Sequence, residues 1–176
     1  MTLYEHPLKN AYIGEVWEYT ISNIPTTDTN VYVNVARSWK TIQSVKFNFI
    51  ATSDWTYVHI SWNNSNSNRY WIGCGRNTSN TSADLCAIRG RLNWASDTYY
   101  RTVSYSRSGT NQIEFYINRD GNCYITVNWT KTTYTAGTAE LNIIQTIMNL
   151  SNMNVYASQN GACLTWNKVN VEVTYS

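Results

Sequence analysis

The sequence predicts an all-β protein, an antiparallel β-sandwich or jelly roll. Three observations carry that expectation. Apolar residues recur at every second position in segment after segment, the period of a strand with one face buried. Aromatic residues make up 14% of the chain, with Trp 8 and Tyr 14, and aromatics favour pleated surfaces. The two prolines, Pro7 and Pro25, both stand near the start, so the rest of the backbone can hydrogen-bond as sheet. At 176 residues the chain suits one domain. A chain of that size buries roughly 70% of its unfolded surface and needs no metal or cross-link to hold a core.

Residues 1–19 differ in character from the rest of the chain. Leu3, Tyr4, Leu8, Tyr12, Ile13, Val16 and Trp17 make an apolar, aromatic segment broken by Pro7 and Gly14. It reads either as an arm that docks on a partner or as a first strand, with residues 20–176 as a single sandwich domain. Thr26 to Asn30 reads as a turn. Val31, Val33 and Val35 then alternate with Tyr32 and Asn34. Val45, Phe47 and Phe49 repeat the pattern, and so do Val58, Ile60 and Trp62. Asn63 to Asn68 reads as a polar loop, Tyr70 to Cys74 as a short strand, and Gly75 to Asp84 as a second polar loop. Strands are expected over Leu85 to Trp94 and Tyr99 to Ser106.

The sharpest local expectation is a hairpin at Arg119-Asp120-Gly121. A two-residue loop would pair Ile117 with Tyr124 and mix the two faces. A three-residue loop pairs Ile117 with Cys123, Phe115 with Ile125 and Ile113 with Val127, and leaves one face wholly apolar. That loop wants glycine in the left-handed position, where Gly121 stands. Leu141, Ile144, Ile147 and Met148 have helical spacing, so one short helix is expected near 141–150. Asn160-Gly161 marks a turn. Val169, Val171, Val173 and Tyr175 form a closing strand with neighbours on both sides. The total is about ten strands.

Composition excludes several functions. The formal net charge is +2 with 14% charged residues, too little basic field to hold nucleic acid. No apolar run approaches the length of a transmembrane helix. The five sequons, at Asn63, Asn77, Asn80, Asn128 and Asn149, are about as many as a chain this rich in Asn, Ser and Thr produces by chance. Cys74, Cys86, Cys123 and Cys163 include no CxxC pair, which argues against a zinc site. Reduced, partly buried thiols are expected; if disulfides formed, the pairing would be Cys74 with Cys86 and Cys123 with Cys163.

Catalytic chemistry is hard to assemble. His6 and His59 have no metal-ligating neighbour at suitable spacing, so no metal and no cofactor are expected. No nucleophile elbow is present. Glu15 and Glu18 are three apart and would face opposite sides of a strand, so they cannot form a glycosidase acid pair. The expectation is a protein that is not an enzyme. What is left is aromatic surface. Trp55, Trp62, Trp71, Trp94, Trp129 and Trp166 cannot all be central core. An indole has a flat apolar face and one donor, which suits stacking on sugar rings or packing at interfaces. For a carbohydrate site the residues beside the polar loops are favoured: Trp62, Tyr70, Trp71, Trp94, Tyr99 and Tyr100, with Asn64, Arg69 and Arg76 as hydrogen-bonding groups.

Two segments carry a family resemblance. Pro7-Leu-Lys-Asn-Ala-Tyr-Ile-Gly-Glu-Val-Trp-Glu-Tyr19 resembles a leader in virion proteins of tailed phages, where it precedes a concanavalin-like β-sandwich. Trp166-Asn-Lys-Val-Asn-Val-Glu-Val-Thr-Tyr-Ser176 is similar to the closing strand of such sandwiches. The family's usual Asp-Gly-Trp start after the leader is missing. The resemblance implies a particle-attached module, a head decoration, head fibre or tail-fibre type, whose N-terminal segment docks on capsid or tail proteins. It would be a homo-oligomer, with a trimer as the common fibre form, and a host-surface glycan as a further partner. The opening Met1-Thr-Leu-Tyr-Glu-His-Pro7 has no basic and apolar run of the signal-peptide kind. That suits assembly in a host cytoplasm and a place on the virion surface. The alternatives are a free extracellular carbohydrate-binding lectin and a pilin-like filament subunit completed by its neighbour's N-terminal strand.

Overall fold

The computed structural model describes residues 14–52, 56–64, 68–77, 85–91, 98–104 and 110–176; within 61–71 and 74–104 the description is of strand pairing. Among the described residues, twelve strands form two antiparallel sheets. The first sheet holds β1 (Glu15–Ile21), β3 (Ile42–Ala51), β8 (Asn111–Asn118), β9 (Asn122–Val127), β10 (Thr130–Thr135) and β12 (Val169–Tyr175). Their order in space is β1-β12-β3-β8-β9-β10. The second sheet holds β2 (Val31–Asn34), β4 (Thr56–Asn64), β5 (Asn68–Asn77), β6 (Leu85–Arg91), β7 (Thr98–Ser104) and β11 (Asn154–Gln159), in the order β2-β11-β4-β5-β6-β7. The all-β sandwich expected from the alternation is the fold observed.

The alternation decides which side chains make the core. Val45, Phe47 and Phe49 of β3 and Ile113, Phe115 and Ile117 of β8 point inward from the first sheet, and the rings of Phe47 and Phe115 stack at 6.0 Å. Val58, Ile60, Ile72 and Val155 meet them from the second sheet. One helix, α1 (Thr138–Met148), packs on β4 and β5 through its buried Ile143, Ile144, Ile147 and Met148. Tyr175 ties the layers together. Its buried hydroxyl donates to the Val35 carbonyl at 2.6 Å and shares a 2.7 Å hydrogen bond with Tyr19. Burial, with Tyr19 beside it, pushes the Tyr175 phenol above its ordinary range.

The β8–β9 hairpin has the register expected, Ile113↔Val127, Phe115↔Ile125 and Ile117↔Cys123, with Gly121 at φ 84°. The closing strand is flanked by β1 and β3. Other expectations need correction. Asn63, Asn64 and Asn68 belong to β4 and β5, and β5 runs on to Asn77, so neither polar loop is as long as composition suggested. The helix begins three residues before Leu141 and ends two before Leu150. Strands β10 and β11 were not anticipated. Residues 15–19 lie within β1, paired along β12, while Leu3, Tyr4, Leu8, Tyr12 and Ile13 fall outside the described residues.

No bridge joins Cys123 to Cys163. The Cys163 thiol donates to the Asn160 carbonyl at 2.9 Å, and that of Cys123 points at the Gly121 carbonyl, 3.8 Å away. Burial pushes the Cys123 thiol up to about 12, so it stays protonated at neutral pH. Cys74 and Cys86 sit opposite Ile88 and Arg76 in the β5–β6 register rather than opposite each other.

Candidate functional site

Three tryptophans in turns stand out. Trp129 is 87% exposed, Trp166 is 73% exposed and Trp39 is fully exposed. Each has a left-handed backbone, with φ of 74°, 58° and 65°. A bulky residue in that region costs about 1 kcal/mol or more, and the cost persists only where the surroundings impose it. A large apolar side chain held in water on a disfavoured backbone is a candidate binding platform where polar groups gather beside it.

Trp166 lies in the short 3-10 turn Thr165–Asn167 that leads into β12. The turn is held from below by Gln159, the last residue of β11, which is 0% exposed. Its amide nitrogen donates to the Ile24 carbonyl at 2.7 Å and to Asn167 Oδ1 at 2.9 Å. Its oxygen accepts from the backbone N–H of Cys163 at 2.9 Å and of Leu164 at 2.8 Å. Both amide hydrogens and both oxygen lone pairs are thus used. The Thr52 N–H donates to the Cys163 carbonyl at 2.7 Å, and the Ile24 N–H to the Asn167 carbonyl at 3.1 Å. The segment before Trp166 is therefore held in place by the fold itself.

Trp129 lies at the same end of the sandwich. Val127 pairs with Thr130, so Asn128 and Trp129 form a two-residue hairpin loop between β9 and β10. Both have positive φ, 44° and 74°, as a type I′ turn requires. The Asn128 side chain fastens the turn. It accepts from the Gln112 N–H at 2.9 Å and donates to Oδ1 of the buried Asn111 at 2.7 Å.

Beside the Trp166 turn lies the outer face of the first sheet. A shallow depression of about 130 Å³ is lined by Trp166, Thr165, Lys168, Asn170, Asn48 and Gln112. It adjoins a second depression of about 310 Å³ that shares Asn48 and Asn170 and adds Glu18, Thr20 and Glu172. Lys168 Nζ stands 5.2 Å from the centre of the Trp166 ring. The rest of the face is a polar network. Lys46 reaches Glu172 at 2.7 Å and Glu114 at 4.0 Å, and the Tyr124 hydroxyl donates to Glu114 at 2.6 Å. Burial and that carboxylate raise the Tyr124 phenol above its ordinary range. Amides, carboxylates and a lysine thus line an open trough beside an indole. Such a set can donate to and accept from several hydroxyls at once while an apolar ring face rests on the indole.

Of the residues favoured from sequence, all but Trp94 lie on the other sheet. Trp62 and Tyr70 are paired across β4 and β5, on a rung in line with the Ile60/Ile72 pair, whereas Arg69 pairs with Asn63 and Trp71 with Ser61 on alternate rungs. Asn64 pairs with Asn68, Arg76 with Cys86 and Tyr99 with Arg89. Tyr100 lies at the irregularity in the β6–β7 pairing. The side chains of all eight, and the whole of Trp94, fall outside the described residues. Of the expected docking residues, Val16 and Trp17 are exposed on β1, and Arg37 stands 5.3 Å from the Trp17 ring. The outer face of the first sheet did not figure in the sequence expectation. Among the described residues no group of three or more His, Cys, Asp or Glu is placed to hold a metal.

No protein-family model matches the sequence. No curated protein matches it. Solved structures match by shape. The basic winged bean lectin with Tn-antigen aligns over 92% of this chain and 99% of its own, with TM-score 0.51 and 9% identity. The winged bean acidic lectin with methyl-α-D-galactose aligns over 92% and 100%, again with TM-score 0.51 and 9% identity. The carbohydrate-binding module of an evolved Dit protein from phage J-1 of Lactobacillus casei BL23 covers 88% of this chain and 75% of its own, at TM-score 0.43 and 9% identity. The chain therefore has a lectin-like β-sandwich fold.

Proposed function

We propose that the protein is a non-catalytic glycan-binding module that grips its ligand on the outer face of the first sheet, with Trp166 as the stacking platform. The observation that carries this is the Trp166 turn: an exposed indole on a left-handed backbone, held by a fully satisfied buried Gln159, at the rim of a trough lined by Asn48, Asn170, Gln112 and Lys168. Two lectins of the same fold hold a glycan or a sugar glycoside in their structures, which brings that ligand class to this chain. The test is binding to a broad array of bacterial, plant and animal glycans, with wild type and Trp166→Ala in parallel. Binding that falls about tenfold in the variant, for an unchanged thermal unfolding midpoint, supports the reading. A wild-type protein that binds no glycan on the array sinks it.

The setting we propose is the surface of a virus particle, with the segment before β1 docked on capsid or tail proteins. The resemblance of both chain ends to phage virion proteins supports this, and so do the exposed Val16 and Trp17 of the edge strand β1. A free extracellular lectin would use the same trough. Mass spectrometry of gradient-purified particles separates the two: fixed stoichiometry in particles supports the virion setting, and recovery only in the soluble fraction supports the free lectin.

A further inference from the structure

From the placement of Trp129 we infer that the glycan site extends past the Trp166 trough to the β9–β10 turn and reads an internal stretch of a polysaccharide chain rather than a single terminal sugar. This rests on the glycan reading of the Trp166 trough. Gln112 joins the two places. Its side chain lines the Trp166 depression, while its backbone exchanges two hydrogen bonds with Asn128, the residue before Trp129. From β12 to β9 is three strand spacings, about 14 Å, wider than one sugar ring. The Trp166 depression reaches as far as Gln112 on β8, next to the strand that leads into the Trp129 turn, and the second depression continues it the other way, across β12 to Glu18 and Thr20 of β1. An enclosed pocket would suit a chain end; a trough that runs across several strands, with a second exposed indole beyond Gln112, suits a chain that passes through.

The two indoles are also built alike. Each occupies a left-handed turn position, and each turn is fastened by a side-chain amide that bonds to buried or backbone groups. Ordering costs fall when platforms are fixed beforehand, which favours a ligand with many weak contacts along its length. Trp39 has the same backbone conformation but follows β2 and precedes the start of β3, at the opposite end of the sheet, and has no part in this site.

The experiment is native affinity electrophoresis in gels containing β-glucan, xylan, galactomannan or glycol chitin, with fragments from monomer to hexamer as competitors. Wild type, Trp166→Ala, Trp129→Ala and Trp129→Tyr are compared, with circular dichroism as the check on folding. The expected result is retardation in at least one gel, reduced about tenfold by either alanine, restored by Trp129→Tyr, and competed by hexamer far better than by monomer. Retardation lost in Trp166→Ala alone, with monomer competing as well as hexamer, overturns the extended site and leaves the glycan reading standing. No retardation in any gel, together with no signal on the glycan array, overturns both.

Discussion

Strand β9 begins at one tight turn and ends at another. At its start Gly121 takes φ 84°; at its end Asn128 and Trp129 take 44° and 74°. The backbone demand is of one kind, but the residues that meet it could hardly differ more. Gly121 is buried: a Cβ there would lie 3.0 Å from the Ala136 Cβ and 3.2 Å from Leu141 Cδ1. Only glycine meets both the conformation and the space. The second turn is open to water, and glycine would serve it well, yet the chain carries tryptophan. A turn that only had to reverse the strand would not need an indole. On the glycan-binding reading proposed above, the difference separates a turn fitted to the core from one fitted to a partner, and the Trp166 turn belongs with the second kind.

The comparison is open to direct attack. The largest effect is expected at the core turn. Gly121→Val should lower stability by about 3 kcal/mol, because a β-branched residue is strained at positive φ and meets Ala136 and Leu141. Urea denaturation measures it; a loss below about 0.5 kcal/mol would show that the turn tolerates side chains. Next comes Gln159→Leu, which leaves the Cys163 and Leu164 N–H groups and the Ile24 carbonyl without this partner in the interior. A loss of about 2 kcal/mol is expected. Iodide quenching and emission of Trp166, read in a variant lacking the other exposed tryptophans, should broaden as the turn loosens. Unchanged emission would mean that the turn holds itself.

How far these features were legible in the sequence divides in the same way. The β8–β9 hairpin could be read to the residue because apolar alternation and a glycine in the left-handed position agree. The next hairpin could not. Asn-Trp does not have the Asn-Gly signature, and Thr-Lys-Thr-Thr-Tyr-Thr of β10 shows no apolar alternation because it is an exposed edge strand. Strand β11 was obscured for another reason: one of its inward positions is Gln159, a polar residue accommodated only through tertiary hydrogen bonds. Trp166 could be suspected of lying outside the core, but its neighbours in the trough come from β3, β8 and β12, strands far apart in sequence. A trough assembled by sheet pairing leaves no local motif.

Smaller effects sharpen the contrast further. Trp129→Gly should raise stability by about 0.5 kcal/mol, the relief of left-handed strain partly offset by the greater freedom of glycine when unfolded. The same change should weaken retention in the polysaccharide gel. Opposite signs for stability and binding are the mark of a residue kept for function; a fall in both would make Trp129 a structural residue and dissolve the comparison.

The finest test is Trp39→Gly. Trp39 is as exposed as its counterparts and has the same left-handed backbone, at φ 65°. If exposed, left-handed tryptophan alone defined a binding platform, this change would weaken glycan binding too. Trp39, however, lies in the Arg37–Lys40 turn, which is closed by a single 3.3 Å backbone hydrogen bond. It also stands at the end of the sheet away from the trough. Stability is therefore expected to stay within about 0.5 kcal/mol of wild type, and retention in the gel to be unchanged. A marked loss of retention would place a second glycan contact at the far end of the sandwich and make conformation, rather than position beside the trough, the property that counts.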